Sequence, residues 1–219
     1  MTKVGVLLSG CGFSDGAEIH ESVIAMLALD RAGAEMVLMA PNIDQMHVVN
    51  HYTGQEMDEF RNVLVESSRI ARGNIKDMAE VNGHDIDALI IPGGFGVTKN
   101  LCDYAMTGPE CSINPDVYRL ATEVHLLQKP IGAICIAPAM IAKILGEQGE
   151  SANLTIGSDK STANDINTMG NIHVECPVTE MVVDAEKKIV TTPAYMEAKS
   201  IKEAAEGIEK LVAEVLSMV

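Results

Sequence analysis

Four short apolar runs constrain this chain more than any other feature: Val4 to Leu8, Met36 to Ala40, Ala88 to Ile91 and Ile131 to Ile134. Each ends at a turn residue or at Cys135, and none alternates polar with apolar positions. Such runs read as strands covered on both faces. Strands of that kind pair in parallel and need long crossovers, so the stretches between them should be helical.

The spacing agrees. Ser14-Asp15-Gly16-Ala17-Glu18 is a capping signal ahead of Ile19, Val23, Ile24, Leu27 and Ala28, an apolar face that stops at Gly33. Further helices are predicted over Asp58 to Arg72, Pro115 to Leu127, Ala137 to Leu145 and Thr162 to Met169, and a last one carries Ile201, Ala205, Ile208, Leu211, Val212 and Val215 on one face. A short strand is expected near Leu154 to Ile156, and the hairpin-like strands around Met181 to Val183 and Ile189 to Thr192 suggest an antiparallel edge. No repeat or linker interrupts the pattern, so the expectation is one α/β domain over 1–219, a doubly wound three-layer sandwich with a mostly parallel sheet.

Lys and Arg total 16 against 31 Asp and Glu, a formal net charge of −15, which disfavours nucleic acid and anionic membranes as partners. The longest apolar run, Ile131 to Ala142, is interrupted by Gly132 and Pro138 and is too short to span a bilayer. The amino terminus lacks a secretory h-region and cleavage pattern, and a cytoplasmic protein is expected. Five scattered cysteines without a C-x-x-C fit reduced thiols better than a disulfide framework. His47 and His51 stand four apart, but no further ligand completes a zinc set, and no phosphate loop is present; neither metal nor cofactor is expected.

In doubly wound sheets the ligand crevice lies beyond the carboxyl ends of the strands, where this chain has Cys11, Gly93, Gly94 and Cys135. A strand running into Cys135, with Ile136-Ala137-Pro138 opening a helix at once, has the form of a nucleophile elbow. The helix amino terminus would lower the thiol pKa. The competing reading is a small buried core cysteine. In Pro92-Gly93-Gly94-Phe95-Gly96 the glycines let backbone N–H groups approach a bound oxygen, and the amides of Gly94 and Ile136 are the candidate oxyanion hole. Either Glu18 or Glu21, on one face of the first helix, is placed to reach Cys135 as proton carrier, although acidic residues also favour a helix start for its own sake. Cys11 and Gly93 are candidate site-lining residues. His173-Val174-Glu175 is read as a chance match to an amidotransferase His-x-Glu pair.

Leu8-Ser9-Gly10-Cys11-Gly12, Asp15-Gly16-Ala17-Glu18-Ile19-His20-Glu21, Pro92-Gly93-Gly94-Phe95-Gly96, Lys99-Asn100-Leu101, Cys135-Ile136-Ala137-Pro138-Ala139 and Thr191-Thr192-Pro193-Ala194-Tyr195-Met196 occur in that order. With these motifs the whole chain resembles the ElbB-type glyoxalase family, named for isoprenoid biosynthesis and also called sigma cross-reacting protein, within the PfpI-like deglycase superfamily. The resemblance implies a flavodoxin-like fold shared with class I glutamine amidotransferases. It matches Cys135 to the elbow cysteine, Gly94 and Ile136 to the oxyanion-hole amides, and Glu21 in preference to Glu18 to the acidic partner. Several relatives carry a histidine soon after the elbow helix, where this chain has Thr155-Ile156-Gly157-Ser158-Asp159. A protease or amidotransferase triad is therefore not expected.

The resulting expectation is a cofactor-independent glyoxalase that converts glyoxal, or a related 2-oxoaldehyde, to the hydroxy acid through a Cys135 hemithioacetal. The alternatives are a protein deglycase using the same residues, and a non-catalytic cysteine redox sensor or partner protein linked to isoprenoid metabolism. The expected partners are a small aldehyde substrate and, by resemblance, a second copy in a homodimer.

Overall fold

The four apolar runs lie side by side at the centre of one seven-stranded sheet. In chain order its strands are β1 (Lys3–Leu7), β2 (Glu35–Ala40), β3 (Lys76–Asp77), β4 (Ala88–Ile91), β5 (Ile131–Ile134), β6 (Val182–Asp184) and β7 (Ile189–Thr192). The computed structural model describes residues 1–219 and gives the spatial order β6-β7-β5-β4-β1-β2-β3. Every neighbouring pair is parallel except β6 with β7, the expected antiparallel edge.

The helices are α1 (Ile19–Arg31), α2 (Val63–Ile70), α3 (Tyr104–Thr107), α4 (Pro115–Leu126), α5 (Ala137–Glu147), α6 (Lys160–Thr168) and α7 (Ile201–Ser217). They pack on both faces. Successive side chains of a strand point to opposite faces, and the core divides accordingly. Leu7, Leu89 and Ile91 join Val117 and Leu120 of α4 and Met140 and Ile141 of α5. Val4, Val6 and Ile90 join Ala25 and Leu29 of α1 and Ile208 and Leu211 of α7. This double cover is why the strands show no polar alternation. Complete burial of Leu89, Ile90 and Ile91 contributes about 1.5–3 kcal/mol each. The fold is the doubly wound α/β sandwich that the sequence pattern implies.

Two expectations fail locally. The face of α1 read as buried is exposed at Ile19, Val23 and Leu27, while Glu21, Ser22, Ala25 and Leu29 point inward. A buried glutamate turns the helix away from its apolar stripe. The helix expected from Asp58 begins only at Val63, because the side chain of Asn62 accepts the Val65 N–H and caps it there. Leu154 pairs outside the main sheet, in a two-residue ladder of Asn153–Leu154 with Ile172–His173. No helix is long and apolar enough to cross a membrane.

Candidate functional site

β5 delivers Cys135 to the carboxyl edge of the sheet between β4 and β7. The residue has φ of 63°, in the left-handed region that costs a non-glycine residue about 1–3 kcal/mol. That conformation is held because the Cys135 N–H donates to Thr192 O at 2.9 Å, while Ile136 caps α5 and Pro138 lies in its first turn. The sharp turn makes the elbow. Cys135 is only 7% exposed.

Glu21 comes from the inward face of α1 and is wholly buried. Its Oε2 accepts the Gly93 N–H at 2.8 Å and its Oε1 accepts the Tyr195 N–H at 3.1 Å. The carboxyl group and the Cys135 thiol lie close enough to shift each other's titration. Gly93 sits between the two: a Cβ there would come 2.4 Å from Cys135 Cβ and 2.7 Å from Glu21 Oε2. Only glycine leaves room for this pair. At Gly94, φ is 94° and a Cβ would lie 2.4 Å from Gly16 O, so the turn after β4 meets the turn after β1 backbone to backbone.

Burial pushes the Glu21 carboxyl up to about 7, with the charge of Glu18 adding to the rise and the amides of Tyr195 and Gly93 opposing it. The Cys135 thiol is raised well above its usual value, first by burial and then by the Glu21 charge, while the amides of Gly94 and Ile136 pull it down. The expected lowered thiol pKa is thus corrected: the helix amino terminus and amides are present, but burial beside a carboxylate outweighs them. Above about pH 7 the pair therefore holds one proton, carried by the thiol.

Glu18 has a different place. It is the N-cap of α1, its Oε2 accepting the Glu21 N–H at 2.7 Å, and its own N–H donates to Gly93 O at 2.9 Å. It therefore orients Glu21 rather than meeting Cys135.

Cys135 opens onto a cavity of about 480 Å³ whose wall also includes Glu18, Gly94 and Ile136, with the rings of Phe13, Phe95, Tyr104 and Tyr195 around it, and Glu21 lies behind the thiol, wholly buried. At the rim His20 Nδ1 lies 2.8 Å from the Tyr195 hydroxyl. Cys11 does not line this cavity. The turn carries it toward the charged groups Glu66, Arg69, Asp15 and Arg61, which corrects its expected place in the crevice. Gly93 lies behind the wall. His173 accepts the Ile156 N–H at 3.4 Å on its small ladder and makes no contact with Cys135. No three His, Cys, Asp or Glu side chains are grouped so as to hold a metal ion.

The family model described as DJ-1/PfpI matches residues 11–199, a stretch that contains every residue of the Glu21–Gly93–Cys135 cluster. The chain belongs to the DJ-1/PfpI family. This family includes deglycases and glyoxalases, often with a nucleophilic cysteine. The chain is 42% identical to human "Glutamine amidotransferase-like class 1 domain-containing protein 3, mitochondrial", over 99% of this chain and 83% of that protein. It is 40% identical to "ES1 protein homolog, mitochondrial" of Rattus norvegicus, over 99% and 84%. Among solved structures, an isoprenoid biosynthesis protein with amidotransferase-like domain from Ehrlichia chaffeensis superposes with a TM-score of 0.92 at 36% identity, over 99% of this chain and 100% of that one.

The relatives overturn the cytoplasmic expectation, since they are named as mitochondrial proteins. The cytoplasmic expectation rests on the lack of a secretory signal, and mitochondrial import uses another kind of segment, amphipathic and rich in Arg and Ser.

Two of the segments on which the sequence resemblance rests carry contacts that composition and spacing do not reveal. Asn100, in a π-helical turn at Val97–Leu101, donates through Nδ2 to Ser9 O at 2.8 Å and Asp15 O at 2.9 Å, fastening the turn after β1. Tyr195 follows Ala194, whose φ is 42°, and this bend aims the Tyr195 N–H at Glu21. The motifs Lys99-Asn100-Leu101 and Pro193-Ala194-Tyr195 were the only signals for either.

Proposed function

We propose that this protein is an ElbB-type, cofactor-independent glyoxalase acting on glyoxal or a related 2-oxoaldehyde. The observation that carries the reading is the wholly buried Glu21, its carboxyl pushed up to about 7, set across Gly93 from the elbow thiol of Cys135. The amidotransferase-like relative named for isoprenoid biosynthesis supports it at subfamily level.

Sulfur adds to one aldehyde carbon of glyoxal while the thiol proton passes to the Glu21 carboxylate. The new oxyanion lies two bonds from sulfur, where the Gly94 and Ile136 amides already face the thiol. Once the oxyanion is protonated, the Glu21 carboxylate takes the proton from the former aldehyde carbon. An enediol forms, and the neighbouring carbon is protonated to give the thioester of glycolic acid. Water then cleaves the thioester, releasing glycolate and restoring the thiol. The sum is one glyoxal and one water to one glycolic acid.

A second reading, removal of early aldehyde adducts from amines or thiols, is favoured by one observation: a cavity of about 480 Å³ is larger than a two-carbon aldehyde requires. The raised thiol of Cys135, beside the Glu21 carboxyl, speaks against its being the first thiol attacked by an oxidant. We also assign the working state as a homodimer. Ile19, Val23 and Leu27, spaced along α1 and 42%, 48% and 42% exposed, form an apolar stripe suited to a second copy.

The test is glycolate production from glyoxal by the purified protein, read by NMR with chelator present and glutathione absent. Turnover that disappears in Cys135→Ala is expected. Absence of glycolate from the unmodified protein would rule the reading out.

A further inference from the structure

Cys102 and Cys111 lie outside the Cys135 site, and both are buried, at 5% and 2% exposure. Cys102 ends the π-helical turn, its N–H donating to Val97 O at 3.1 Å. It stands opposite Ile113 in an isolated antiparallel bridge, closed by Asp103 N–H to Ser112 O at 3.2 Å and Asn114 N–H to Leu101 O at 2.9 Å. In an antiparallel pair, the residue two before the direct partner shares the face of the opposing side chain. That residue is Cys111. The Cys102 S–H donates to Val97 O at 3.3 Å, and the Cys102 and Cys111 thiols lie close enough to shift each other's titration.

The chain between them forms one wall of the Cys135 cavity. Tyr104 and Ala105 line it, as does Thr98 in the turn that ends at Cys102. The Tyr104 hydroxyl donates to Asp165 Oδ2 at 2.6 Å, joining this wall to α6. None of the residues in α3 or in the following 3-10 turn, Gly108–Glu110, is buried, so the segment can open to solvent without disturbing the sheet.

We propose that Cys102 and Cys111 are a reversible dithiol/disulfide site whose oxidation fixes this wall of the cavity. Cys111 is the attacking thiol: Lys143 Nζ donates to Pro109 O at 3.3 Å, bringing its positive charge to the loop, and the neighbouring Cys102 thiol and that charge hold the Cys111 thiol below its ordinary value. The oxidant is a low-molecular-weight disulfide, RSSR. The Cys111 thiolate attacks one sulfur, giving Cys111–S–S–R and one RS⁻. The Cys102 thiolate then attacks the Cys111 sulfur, closing the Cys102–Cys111 bond and expelling the second RS⁻. Two protein thiols lose two electrons, RSSR gains them, and the two thiol protons leave with the two RSH.

The test incubates the native protein with glutathione disulfide, alkylates the remaining thiols and maps them by mass spectrometry. The expected result is loss of alkylation at Cys102 and Cys111 together, with a linkage reversed by dithiothreitol and with Cys135 still alkylated. In Cys102→Ser, Cys111 should stop at the mixed disulfide. Hydrogen exchange of the amides of Tyr104 to Glu110 should slow several-fold in the oxidised protein. Alkylation of both thiols after the incubation would overturn the proposal. So would a Cys102–Cys111 bond that leaves exchange of this segment unchanged, since the wall would then not be fixed by it.

Discussion

Glu21 Oε2 accepts the Gly93 N–H at 2.8 Å, and a Cβ placed on Gly93 would approach that same oxygen to 2.7 Å. The contact that holds the carboxyl group is thus also the contact that forbids a side chain. Gly93→Ala should destabilise the fold by about 1–3 kcal/mol through overpacking, lowering the melting temperature by roughly 3–10 °C, and should abolish glyoxal turnover. Thermal unfolding with a parallel activity assay checks both. An unchanged melting temperature would mean that the pair does not need the gap.

The raised pKa of Glu21 has a definite sign in the pH dependence of stability. Its folded value of about 7 exceeds the ordinary 4.5, so between these values the folded state binds more proton than the unfolded one. Its contribution is complete below about pH 4.5 and is lost as pH rises to about 7. The difference corresponds to roughly 3 kcal/mol. Glu21→Gln should therefore gain stability relative to the unmodified protein between pH 5 and pH 8, by denaturant unfolding at each pH. The activity of the unmodified protein should rise over the same range, because the carboxylate is the base. A constant stability gap would contradict the assignment.

Glu18 and Glu21 separate by role. Glu18→Ala removes the N-cap of α1, at a cost of about 1 kcal/mol, and should leave turnover within a few-fold. Chemical denaturation and kcat measured together decide it. A loss as deep as that of Cys135→Ala would make Glu18 the proton carrier.

The exposed stripe on α1 gives a test of assembly. Val23→Glu places a charge where a second copy would pack, and should convert a dimer to a monomer in analytical ultracentrifugation while the circular dichroism spectrum is kept. A monomer in the unmodified protein would remove the dimer from the account.

The sheet was legible because β1, β2, β4 and β5 are apolar on both faces, a pattern that few other settings produce. Cys135 was legible for a local reason, since a strand and a helix meet at that one residue. The short β3 has only Lys76 and Asp77 and so carries no apolar signal. The buried face of α1 was misread because Glu21 and Ser22 point inward while Ile19 and Val23 point out, against the usual polarity. Tyr195 reaches Glu21 through its backbone N–H, and a backbone contact leaves no side-chain preference to read. The thiol pKa went the other way for a related reason: burial and a carboxylate from a distant helix outweighed the local helix terminus.

The most direct test of the account is the rate of glycolate formation from glyoxal in Glu21→Gln beside the unmodified protein and Cys135→Ala, each shown by circular dichroism to be folded. General-base catalysis typically contributes 10²–10⁴-fold, so kcat should fall by about that factor in Glu21→Gln and below detection in Cys135→Ala. Equal turnover in all three proteins would contradict the claim that Glu21 and Cys135 perform the chemistry.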